Sequence, residues 1–63
     1  MLIQLTNDTG NVVLVNEEHI KDVTVSGDGG SRITYVLGGE RLVKNTPQEI
    51  EQIAVVTALR RRG

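Results

Sequence analysis

The sequence contains no cysteine, tryptophan or phenylalanine, and Tyr35 is the sole aromatic side chain among its 63 residues. Without cysteine, neither disulfides nor thiolate–metal sites can supplement the core. Without large aromatics, that core falls to Val, Leu and Ile, which bury less area per residue. No apolar run approaches the roughly 18–20 residues of a membrane span. The start also lacks a charged segment followed by an apolar stretch, so the expectation is a cytoplasmic protein. The length suits one domain, residues 1–63, near the lower limit for a single apolar core. A chain this short completes its burial readily against further copies of itself, and a homo-oligomer is expected.

A strong excess of positive charge is also missing. The formal net charge is -1, which excludes the basic balance of a typical nucleic-acid module. The distribution is uneven. Residues 1–39 carry Lys21 and Arg32 against Asp8, Glu17, Glu18, Asp22 and Asp28. Residues 40–63 carry Arg41, Lys44, Arg60, Arg61 and Arg62 against Glu40, Glu49 and Glu51.

What is present reads as short strands followed by one helix. Asn45-Thr46-Pro47-Gln48-Glu49-Ile50 is a helix start: Thr46 caps, Pro47 takes the first helical position, and Glu49 reaches back to the cap. The helix is expected over about residues 47–61, with Ile50, Ile53, Ala54 and Thr57 at helical spacing and Val56 with Leu59 widening the stripe. Ahead of it, Ile3 and Leu5 alternate with Gln4 and Thr6. A turn-rich Asn7–Asn11 leads to Val12-Val13-Leu14-Val15, which suits a strand covered on both faces. Asn16 caps a single helical or 3₁₀ turn, with Glu17 and Glu18 at its positive end. Ile20, Val23 and Val25 start a third strand. Residues 26–31 are too glycine-rich for regular structure. Arg32 to Leu37 alternates, with Ile33, Tyr35 and Leu37 on one face. Gly38-Gly39 supplies a two-residue hairpin turn, and Leu42 is the inward residue of the returning strand, with Val43 opposite. The fold class is therefore α+β: a small antiparallel sheet of about five short strands, over about residues 1–44, and one C-terminal helix.

Motifs that carry chemistry are sparse. Gly27-Asp28-Gly29-Gly30 lacks the Lys-Ser/Thr and the following helix of a phosphate loop. His19 lies near Glu17, Glu18 and Asp22, without the spacing of a defined metal site. Ser26 and Ser31 have no nucleophile signature around them. No catalytic residue, metal or cofactor is expected. The sharpest candidate surface is the last hairpin and the helix: Arg41, Lys44, Arg60, Arg61 and Arg62 as charged contacts to phosphate or an acidic partner, with Val56 and Leu59 as apolar anchors.

Ile3-Gln4-Leu5-Thr6, Gly10, Val13-Leu14-Val15-Asn16, Ile20, Val23, Ile33, Tyr35, Leu37, Gly39, Leu42-Val43-Lys44 and the Thr46–Ile50 helix start follow one another without large gaps. This pattern resembles the FlbD/SwrD family of small bacterial flagellar accessory proteins over about residues 1–56. The resemblance implies a non-enzymatic protein–protein interaction module in the cytoplasm, acting in flagellar motility. A second resemblance is to the carbon-storage regulator family of dimeric RNA binders, through Met1-Leu2-Ile3, the hairpin and a C-terminal Glu-Ile helix. That family places arginines after the first strand and before the helix; this chain has Thr6-Asn7-Asp8 and Val43-Lys44-Asn45 there. A small RNA- or DNA-binding regulator is thus the alternative reading, and a phage-encoded binder of a host factor has the same plain character.

Overall fold

The structure, a computed structural model, describes residues 1–62, with side chains through Arg60. Five antiparallel strands precede one helix: β1 (Leu2–Thr6), β2 (Val12–Asn16), β3 (Ile20–Val25), β4 (Ser31–Tyr35), β5 (Glu40–Val43) and α1 (Pro47–Arg62). A single 3₁₀ turn, Glu17–His19, separates β2 from β3, and Asn16 caps it by accepting the Glu18 N–H at 3.1 Å. The strands divide into a two-stranded sheet, β1-β2, and a three-stranded sheet, β3-β4-β5. An Asn7–Val43 bridge and the Lys44 N–H donating to the Thr6 carbonyl at 2.8 Å join β1 to β5.

The core is small and aliphatic: Ile3, Leu5, Val15, Ile33, Val43 and Ile50, with Val13, Ile20, Val23, Tyr35 and Ile53 packed against it. Each fully buried aliphatic side chain contributes about 1.5–3 kcal/mol relative to exposure. Helix α1 touches β1 and β3. Its start is the capping box expected from the residues. The Thr46 N–H donates to Glu49 Oε1 at 3.0 Å, and the Glu49 N–H donates to Thr46 Oγ1 at 3.1 Å. Immediately before it, Asn45 ties two strands together. Its Oδ1 accepts the Thr6 N–H at 2.7 Å, and its carbonyl accepts from the buried Ser31 hydroxyl at 2.7 Å.

All three hairpins use the same connection. In each, the N–H of a first residue (Asn7, Ser26 or Tyr35) donates to the carbonyl four residues on, and the glycine three residues on donates back to that first carbonyl. The glycines at that third step, Gly10, Gly29 and Gly38, have φ of 91°, 95° and 99°, in the left-handed region that only glycine adopts without strain. This is a type I turn closed by a glycine bulge, which suits the twist of the flanking strands. Residues 26–31 are therefore a regular turn, held by Asp28, whose carboxylate accepts from the Ser26 hydroxyl and the Gly30 N–H. Gly30 itself sits against the Val43 carbonyl, where a Cβ would collide with backbone.

Three further expectations are corrected, the first two by the form of the turn. A two-residue turn at Gly38-Gly39 would pair Leu37 with Glu40 and set Leu42 opposite Tyr35, on the core side. The observed register instead pairs Arg32 with Leu42 and Ser31 with Val43. Because opposed residues share a face, this slip moves β5 to the other side. Val43 is buried at 3% exposure, and Leu42 faces outward at 43%. Leu37 is not a strand residue; it sits at the turn tip, 93% exposed. The third correction concerns β2. Only Val15 is buried and Val13 half-buried, whereas Val12 and Leu14 are exposed at 65% and 59%, so one face of this strand is uncovered.

Candidate functional site

The sequence candidates do not gather into one charged patch. Arg41 lies on the core side of β5, opposite Ile33, and its Nε donates to the Tyr35 hydroxyl at 3.2 Å. The long Arg stem lets its head reach past the core edge to this phenol. Lys44 follows β5 at its other end, about 10 Å away along the chain at the usual strand rise. Its Nζ lies near Gly10, at the β1–β2 turn. On the outer face of the three-stranded sheet, Arg32 pairs with Glu40 at 3.7 Å, both side chains being largely exposed. Such a pair contributes about 0–1 kcal/mol. The side chains of Arg61 and Arg62 lie outside the described residues.

Two candidates do come together. Val56 and Arg60, with Gln52, Ile53 and Thr57 of α1 and Gln4 of β1, line an open groove of about 320 Å³. Helical spacing puts residues 53, 56, 57 and 60 on one stripe of α1. The Thr57 hydroxyl donates back to the Ile53 carbonyl at 2.8 Å, so it brings no unsatisfied donor to the groove. Leu59 is exposed outside the groove, and the structure does not join it to Val56 there.

The strand wall of this groove has a further property. Met1 accepts from Glu17 and Asn7 donates to Asn11, so both are hydrogen-bonded pairs of the β1-β2 ladder. Ladder alternation then makes Ile3 and Leu5 hydrogen-bonded as well, and turns the backbone groups of Leu2, Gln4 and Thr6 to the opposite edge. Thr6 is satisfied there by Lys44 and Asn45. The Gln4 N–H and C=O have no protein partner among the described residues. Sequence reasoning missed Gln4 because it reads as an ordinary outward residue; its unpaired backbone groups follow only from the ladder alternation and from β5 meeting β1 no further than Thr6 and Asn7.

Elsewhere the chemistry is quiet. Among the described residues, no three or more His, Cys, Asp or Glu side chains form a group able to hold a metal ion. The Asp28 carboxyl is held below its ordinary value by the Ser26 hydroxyl first and the Gly30 N–H second, with a small contribution from the Lys44 charge. That shift belongs to turn structure. Among the described residues, no helix is long and apolar enough to cross a membrane. No family model matches the sequence, and neither a curated protein nor a solved structure matches it. The chain is thus defined by its fold, a small α+β protein of two antiparallel sheets and one helix.

Proposed function

We propose that this protein is a non-enzymatic protein–protein interaction module that holds an extended segment of a partner protein in the groove between β1 and α1. The observation that carries this reading is the combination of Gln4's free backbone groups with the Ile53–Val56 stripe and Arg60. An added strand gains main-chain hydrogen bonds at a sheet edge, and its alternate side chains give specificity. Here those side chains meet an apolar wall, and Arg60 favours an acidic residue at the mouth. The resemblance to flagellar accessory proteins makes the finer reading a cytoplasmic motility accessory.

The test is affinity capture of wild type, Val56→Asp and Arg60→Glu from source-cell lysate, with and without nuclease. The expected result is a nuclease-resistant protein partner recovered by wild type and reduced at least about tenfold by either substitution, a change of about 1.4 kcal/mol. Circular dichroism should stay unchanged. Flagellar components in the catch support the motility reading. Equal capture by all three proteins, or a catch lost on nuclease treatment, contradicts the docking assignment.

A further inference from the structure

The same ladder alternation that frees Gln4 also turns the backbone groups of Val12 and Leu14 away from β1, to the outer edge of β2. Neither residue's N–H or C=O has a partner among the described residues. β2 is thus an edge strand, and it lacks three common guards of one. It has no charged residue, no proline and no bulge over Val12–Asn16. The opposite edge of the fold, β3, is guarded: it carries Lys21 and Asp22, and its register breaks between Ile20 and Asp22.

The charge distribution favours a second copy at the open edge over a charged partner. The chain has seven Lys/Arg and eight Asp/Glu, yet Asp8 is the one charged side chain within residues 1–16, and it sits in a turn. Neither β1 nor β2 has any charged side chain. A charged partner would find nothing complementary on this hairpin, whereas two copies of it meet without opposing like charges. Antiparallel pairing is also self-complementary about a two-fold axis.

We propose that the chain forms a two-fold symmetric dimer by antiparallel pairing of β2 with β2 of a second copy. The register that engages every outward group places Leu14 opposite its own counterpart and Val12 opposite Asn16 of the second copy. This pairing adds on the order of four to six backbone hydrogen bonds. It brings Leu14 of both copies side by side on the uncovered face and extends the Val13–Val15 side of the core across the axis. The two small hairpins become one four-stranded sheet, above the size at which isolated two-stranded hairpins are marginal. The groove beside Gln4 stays open, so dimerisation and partner docking stand independently.

The absence of cysteine gives a direct test, since single cysteines can be introduced without competing thiols. Residues opposed in a hydrogen-bonded antiparallel pair have Cα atoms about 5.5 Å apart, within the disulfide range of about 4.4–6.8 Å. Leu14→Cys should therefore form a cross-linked dimer under mild oxidation at least about tenfold faster than Val25→Cys, placed on the guarded β3 edge. Sedimentation of the unmodified protein should give twice the 6.9 kDa chain mass. Leu14→Lys should return it to the single-chain mass with an unchanged circular dichroism spectrum. Should that variant unfold, the cross-linking comparison alone decides. Equal cross-linking rates for the two cysteine variants, or a single-chain mass for the unmodified protein at millimolar concentration, overturns the proposal.

Discussion

The two sheets of this protein treat solvent differently. The β3-β4-β5 sheet carries charge on every strand: Lys21 and Asp22 on β3, Arg32 on β4, and Glu40 and Arg41 on β5. The β1-β2 sheet carries none, and it exposes Leu2, Val12 and Leu14. Both contribute to one core through Ile3, Leu5, Val15, Ile33 and Val43, so the difference is not one of folding role. It lies in what each sheet excludes. Charge and a bulge disfavour strand addition at the β3 edge of the larger sheet, and the β2 edge of the smaller one carries neither.

The largest expected effects come from the seam that binds the two sheets into one core. Ile33→Ala removes the most buried core side chain of β4 and should cost about 2–5 kcal/mol. For a domain of this size that approaches the whole stability, and urea denaturation should show a largely unfolded variant. Gly30→Ala forces a methyl group into the Val43 carbonyl and should cost about 1–3 kcal/mol, as over-packing does elsewhere. Equal urea midpoints for wild type and Gly30→Ala would mean that β4 and β5 approach less closely than described.

Smaller effects sharpen the contrast between elements. Thr46→Ala removes one half of the capping box and should lower stability by about 1 kcal/mol, read from the same urea transition. The three turns differ only at their tips: Asp8-Thr9 and Gly27-Asp28 are polar, whereas Val36-Leu37 is apolar and exposed. Leu37→Ser should shift stability by no more than about 0.5 kcal/mol, because the glycine bulge and not the tip fixes the turn.

Asp28 gives the smallest and most conditional effect. Its folded carboxyl titrates below its ordinary value of 3.8, so the carboxylate form is favoured in the turn. A depressed folded value contributes stability that is fully present above the unfolded value and lost as pH falls through the folded one. The contribution therefore holds at neutral pH and is lost only as pH falls below the ordinary value of 3.8 and through the lower folded value. Asp28→Asn should be slightly less stable than wild type at pH 7, with the difference closing below that point. A gap that does not narrow at all as pH falls below 3.8 in thermal melts contradicts this account of the turn.

Much of the fold was legible in local chemistry. Thr46, Pro47 and Glu49 specify a helix start whatever surrounds them, and Asn16 specifies its cap in the same way. Ile3 and Leu5 alternate with polar residues, so their burial follows from period alone. What was not legible depended on register. Gly38-Gly39 reads as a two-residue turn, but the shared glycine-bulge connection ends β4 at Tyr35 and moves Leu42 to the outer face. No local signal distinguishes those two forms, because Gly satisfies both. Val12 and Leu14 read as covered for a similar reason: an apolar run looks the same whether its second face meets the core or stays uncovered. Of the candidate surface, Val56 and Arg60 share a groove because they share a helix stripe. Arg41 and Lys44 separate because opposite ends of one short strand face different neighbours.

The central claim, that the β2 edge accepts a second copy while the β3 edge does not, is tested most directly by amide hydrogen exchange followed residue by residue at two concentrations. Protection of the Val12 and Leu14 amides should be strong at millimolar protein and fall on dilution, while the outward Val25 amide exchanges fast at both concentrations. Fast exchange of Leu14 at every concentration, or a concentration dependence at Val25 instead, would contradict it.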